Sequence, residues 1–192
     1  MSKASKCLIG LGLALILAGL GILVGSRIAA WRGVRLSANI VQEIESVLPE
    51  RTGGMLDQYA SMELPVMELD GKDYVGLLEF PAFQRKLPVA AVWDADAVSS
   101  YPHRFSGTAY DGSLVIGGSD DNGQLELLSR LELGDALHFT DMQGREFTYG
   151  VSRIIRADSA DRSVLTTQPG ALCLFTRDSF SMEYIIVSCQ LQ

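Results

Sequence analysis

Few side chains in this chain could do chemistry, and their spacing limits what that chemistry could be. A thiol is a nucleophile only as its thiolate, which a neighbouring cation favours and apolar burial opposes. Cys173, in "ALCLFTR", lies four residues before Arg177, and strand alternation places the two on one face. Cys189, in "EYIIVSCQL", lies deep in a second apolar run, six residues beyond Glu183. Both are expected as buried, inert thiols, and a disulfide between them stays open. His103 sits in "YPHRF", which reads as a surface loop, and His138 in "ALHFTD", a strand where it is structural or exposed. The sequence has no HExxH, CxxC, GxGxxG or P-loop. "GSDDNG" (Gly118–Gly123) groups two carboxylates and an amide but misses the EF-hand ligand spacing. It reads as a turn followed by a helix N-cap. No metal and no cofactor is expected.

The elements that must position these residues are mainly β. "YVGLLEF" (Tyr74–Phe80), "LPVAAVW" (Leu87–Trp93), "SLVIGG" (Ser113–Gly118), "ALHFTD" and the long "REFTYGVSRIIRA" read as strands between turn residues. Phe147, Tyr149, Val151 and Arg153 alternate along the last of these. Leu125, Leu128 and Leu131 recur at helical spacing and predict a short helix. The chain finishes in a hairpin, "ALCLFTRDSFSMEYIIVSCQLQ", with Arg177 closing one strand and Glu183 opening the other. Roughly eight strands with no α/β alternation predict a closed or nearly closed barrel over residues 71–192.

Upstream, Ile40, Val41, Ile44, Val47 and Leu48 mark an amphipathic helix ending at Pro49, in a helical linker over 36–70. The first 35 residues are of another kind. From Cys7 to Gly25 there are nineteen residues without a charge, enough for a helix of ~28 Å, about one bilayer's hydrocarbon thickness. An N-terminal transmembrane helix is expected there. These 35 residues hold five Lys/Arg and no acid; the remainder holds 11 Lys/Arg against 23 Asp/Glu, a net of −12. A domain so acidic, without a basic stripe, argues against nucleic acid as a partner.

Several weak motifs occur in a familiar order. "YVGLLEFPAFQRKLPVAAVW" is similar to a "G-x-L-x-I-P" strand followed by "L-P-V". "SLVIGG", a leucine-bearing helix and "LELGD" are similar to a segment leading into glycine–histidine, a helix and "L-x-x-G-D". "ALCLFT" resembles a "T-L-x-T-C" strand, and "EYIIVSCQL" a final strand that opens with arginine. Together, over Tyr74–Leu191, they resemble the sortases, membrane-anchored cysteine transpeptidases of Gram-positive surfaces. The resemblance implies a sortase-like closed eight-stranded β-barrel with short helices, following the transmembrane and amphipathic helices. It also implies a single-pass protein of the cell membrane with its C-terminal domain extracellular, an orientation that the charges flanking the span do not decide.

Sortase chemistry uses a cysteine nucleophile, a histidine that protonates the leaving amine and an arginine that stabilises the oxyanion. In this sequence the corresponding positions are occupied by Arg177, Ser119 and Glu183. Arg177 stays protonated and cannot attack a carbonyl. Glu183 would put negative charge where an oxyanion forms. The expectation is a pseudosortase without catalytic residues, binding or regulating a cell-envelope partner or sorting-type peptide through the cleft residues Ser119, Arg177, Glu183 and His103. Arg177 and Glu183 are expected to form an ion pair across the cleft. Two other readings stay open: a transpeptidase or hydrolase with a relocated nucleophile, Cys173 or Cys189, and a purely structural envelope protein.

Overall fold

The computed structural model describes residues 35–53, 62–95, 97–98, 100–120, 123–160, 165 and 171–192. The apolar run from Cys7 to Gly25 lies outside them. No helix among the described residues is long and apolar enough to cross a membrane.

Among the described residues ten strands form one sheet: β1 (Thr52–Gly53), β2 (Met67–Leu69), β3 (Lys72–Phe80), β4 (Arg85–Ala90), β5 (His103–Ser106), β6 (Ser113–Ser119), β7 (Ala136–Asp141), β8 (Arg145–Ala157), β9 (Ala171–Arg177) and β10 (Tyr184–Leu191). Eight of them close a barrel in the order β8-β10-β9-β6-β5-β4-β3-β7, with β7 returning to β8. β1 and β2 are short additions at the rim, on β8 and β3. Closure removes the open edges that an eight-stranded sheet would otherwise expose. The β4–β5 seam is the narrowest, with Ala90 paired to His103 alone.

Inward-facing residues of β3, β4 and β6 to β10 fill the interior, among them Val75, Leu78, Val89, Leu114, Ile116, Phe139, Phe147, Tyr149, Leu172, Leu174, Ile185 and Val187. The alternation expected in β8 holds through Phe147, Tyr149 and Val151 and then breaks. A bulge lies where β10 passes from Ser188, opposite Arg153, to Cys189, opposite Val151. The extra residue, Ser152, inverts the phase, so Ile154 packs on the interior and Arg153 is exposed.

The expected helix at Leu125 is a 3₁₀ helix over Leu125–Arg130 with Leu125, Leu127 and Leu128 buried. No side chain caps its N-terminus. Asp120 is engaged elsewhere, and Asp121 and Asn122 lie outside the described residues. The amphipathic helix, here α1, spans 35–47. Val41 and Ile44 bury their side chains with Tyr74, Leu77, Ala90, Tyr101 and Met142, whereas Val47 is exposed. Full burial of a side chain such as Ile44 contributes roughly 1.5–3 kcal/mol. Charge fastens the same end of the molecule: Lys86 pairs with Glu45 and, at 3.2 Å, Glu79, and Arg51 pairs with Glu146 at 2.6 Å. The segment read as a helical linker therefore also contributes β1 and β2.

Candidate functional site: a groove at the ends of β6 and β9

Two successive rungs of the sheet, read across β6, β9 and β10, build the site. The first joins Gly117, Phe175 and Ile186, and the second Ser119, Arg177 and Tyr184. Directly paired residues share a face and residues two apart return to it, so both rungs face outward. On this outer side Phe175 and Ile186 cluster with Val115, Leu165 and Cys173.

Gly117 shapes the first rung. A Cβ there would collide with the Phe175 ring and approach Trp93 Cζ3 to 2.7 Å. The missing side chain lets Trp93, which follows β4, lie over the sheet, 5.8 Å from Phe175 with planes 26° apart. Phe105 meets both rings edge-on. Offset stacking and edge contacts of this kind contribute about 0.5–1.5 kcal/mol each beyond area burial. Gly118 lies close to Leu125 of the 3₁₀ helix, and its carbonyl accepts a hydrogen bond from the Thr176 hydroxyl at 2.9 Å.

The β9–β10 loop closes one end. Asp178 organises it: its Oδ1 accepts the backbone N–H groups of Phe180 and Ser181, and its own N–H donates to the Glu183 carbonyl. These backbone donors, aided by Arg156, hold the Asp178 carboxyl down at about 2. Asp120, just past β6, ties the loop down by accepting from the Ser179 N–H at 2.5 Å and hydroxyl at 2.6 Å. The result is a groove of about 410 Å³ whose floor is Trp93 and Phe175, with Arg177, Met182 and Tyr184 on its walls.

The structure brings Ser119 and Arg177 together as direct register partners. It does not bring Glu183 to them. Tyr184, not Glu183, opens β10 and faces Arg177. One residue earlier, Glu183 belongs to the opposite phase of the strand, and its carboxylate lies 3.9 Å from Arg156. The expected Arg177–Glu183 ion pair is therefore absent. Arg177 instead donates its Nε–H to the Met182 carbonyl at 3.2 Å, its guanidinium 5.9 Å from the Tyr184 ring centroid.

His103 is not in a surface loop. It opens β5, is buried, and stacks on Tyr101 at 5.2 Å. Its Nδ1–H donates to the Val92 carbonyl at 2.8 Å. It lies behind Trp93, 6.2 Å between ring centroids, and not among the groove-lining residues. His138 is partly exposed on β7, its Nδ1 3.1 Å from the Thr148 hydroxyl and 3.7 Å from Glu146.

Both described cysteines are free and buried. Cys173 packs outside the barrel and Cys189 inside it, so they project from opposite faces of the sheet and form no disulfide. Burial pushes the Cys173 thiol up to about 12, despite Arg177 four residues away, and pushes Cys189 up as well. Among the described residues no group of His, Cys, Asp and Glu could hold a metal ion. Sequence reasoning missed Trp93, Asp120, Phe175, Ser179, Met182 and Tyr184. The glycine pair after "SLVI" was the local signal that a ring lies flush on this strand.

No protein-family model and no curated protein matches the sequence. The structure, in contrast, matches many solved sortases. Sortase A from Corynebacterium diphtheriae, a lid mutant, aligns at 16% identity and TM-score 0.57 over 88% of this chain and 94% of its own. Sortase C1 from Streptococcus agalactiae aligns at 18% and 0.58 over 72% and 77%. Sortase C from Clostridium perfringens, solved with the C-terminal cell wall sorting motif, aligns at 15% and 0.57 over 71% and 85%. At these identities the likeness speaks for the fold, and the barrel of this chain is a sortase-like barrel.

Proposed function

We propose that this protein is a catalytically inactive, sortase-like surface protein that binds a peptide, or an extended segment of a protein partner, in the groove over Trp93 and Phe175. The observation that carries this reading is the identity of the last residue of β9. Where the resemblance calls for a cysteine nucleophile there is Arg177, paired to Ser119 where it calls for histidine. The described thiols that could substitute are buried, with raised pKa values that leave little thiolate near neutral pH.

An open groove with an aromatic floor and a cation at its edge supports binding over a purely structural role, because ligand sites are concave and apolar with a few placed polar groups. The C. perfringens sortase C solved with a sorting motif supports a peptide as the kind of occupant. In this reading the acidic domain lies outside the cell membrane, held by the apolar run Cys7–Gly25 as a single-pass anchor, with domain divisions at 1–35, 36–70 and 71–192.

The test is incubation of the full chain, in detergent, with sorting-signal peptides and oligoglycine, alongside Cys173→Ala and Cys189→Ala variants. Saturable peptide binding without transpeptidation or hydrolysis is expected. Product that disappears in either cysteine variant would instead establish a relocated nucleophile. Absence of both product and binding would favour the purely structural role.

A further inference from the structure

The guanidinium of Arg177 is a cation with unspent donors in an acidic domain. Its Nε–H is held by the Met182 carbonyl, which fixes the plane of the group. Among the described residues its two terminal amino groups make no hydrogen bond and no ion pair. Among the described residues the neighbouring acids are engaged elsewhere: Asp120 by Ser179, Asp178 by its own loop and Arg156, and Glu183 by Arg156. Arg177 is exposed and lines the groove beside the aromatic floor.

The two rungs set a spacing. Phe175 and Arg177 are two residues apart on β9, roughly 6.6 Å along the strand. An occupant that uses both must carry an apolar side chain and an anionic group about that far apart. A carboxylate matches a guanidinium fork in two parallel hydrogen bonds. A single arginine is poor provision for a phosphate, which is usually met by a cluster of them. The volume of about 410 Å³ is near the lower end for ligand sites, room for one or two residues and not a long extended run. Ser179 and Met182 of the β9–β10 loop line the groove beside Arg177.

From this complementarity we infer that the groove captures the free carboxyl terminus of a peptide. The last apolar side chains lie on Trp93 and Phe175, and the terminal carboxylate is held by Arg177. The inference rests on the peptide-binding reading above and narrows it: the ligand is a finished or processed chain end, not the interior of a chain.

The test is isothermal titration of the full chain in detergent with acetyl-Ala-Leu-Phe bearing a free carboxylate, with its C-terminal amide, with amidated acetyl-Ala-Leu-Phe-Glu-Ala, and with decanoate. The free acid is expected to bind on the order of tenfold more tightly than the amide. Arg177→Gln should erase that difference by weakening the free acid, and Arg177→Lys should keep part of it. Thermal melts of both variants check the fold, which an exposed strand-end substitution should leave intact.

Equal binding of acid and amide, both weakened by Trp93→Ala, would overturn the carboxylate inference while leaving peptide binding standing. Equal or tighter binding of the internal-glutamate peptide would overturn the choice of a chain end. Equal or tighter binding of decanoate would overturn the choice of a peptide. If no probe binds the native chain, the peptide-binding reading fails, and this inference with it.

Discussion

Both carboxylate oxygens of Asp120 are occupied by one residue, Ser179: the backbone N–H reaches Oδ2 at 2.5 Å and the hydroxyl reaches Oδ1 at 2.6 Å. The two residues are 59 apart in sequence, so this clasp holds the β9–β10 loop against the end of β6 and defines one end of the groove. Asp120→Ala should release the loop. The expected outcome is faster amide exchange at 179–183 with a global stability loss of about 1–2 kcal/mol, since both bonds are solvent-exposed and charge-assisted. Hydrogen exchange and urea unfolding read the two effects separately. Loss of protection throughout the barrel would contradict a local role.

Gly117→Ala tests the aromatic floor. The added methyl meets two rings held on the sheet, so it cannot be accommodated without moving Trp93 or Phe175. Overpacking of this kind costs typically 1–3 kcal/mol. A lowered Tm together with altered near-ultraviolet dichroism is expected. A native melting curve would show that the rings do not pack as described.

The loop carries a pH signature through Asp178. Its carboxyl is at about 2 in the folded chain against an ordinary value of 3.8. A lowered folded-state pKa contributes stability above the unfolded value and loses it as pH falls through the folded one. The stabilising effect of Asp178 is therefore complete above about pH 4 and is lost toward pH 2. The Tm difference between wild type and Asp178→Ala should shrink over that window and stay flat from pH 5 to 8. A difference that is independent of pH down to 2 would show that the Asp178 carboxylate does not order the loop.

The thiols give a prediction that bears on catalysis. Cys173 and Cys189 are buried with raised pKa values, so iodoacetamide at pH 8 should leave both unmodified in the native chain and label both in guanidinium chloride. Peptide mapping by mass spectrometry distinguishes them from Cys7. Rapid native labelling of Cys173 would support a displaced nucleophile.

Most of the strands, the barrel, and the placing of Ser119 and Arg177 at the ends of two of the strands were legible in the sequence. Hydrophobic alternation is local, and each of "YVGLLEF", "SLVIGG" and "REFTYGVSRIIRA" carries its own. Short β5 was not legible, because "HRFS" holds one buried histidine and little alternation to mark a strand. Hence His103 was expected at the surface and lies in a buried stack with Tyr101.

Register is what the sequence by itself left undetermined. Composition placed an arginine and a glutamate at the mouth of a hairpin, and nothing local says which residue of one strand opposes which of the other. A shift of a single residue turns a side chain to the other face. The tertiary structure pairs Arg177 with Tyr184, sends Glu183 to Arg156, and separates the two thiols onto opposite sides of one sheet. The sequence determined which chemical groups this protein carries at the ends of its strands. Pairing across the barrel, a matter of long-range contacts, decided which groups now face one another in the groove.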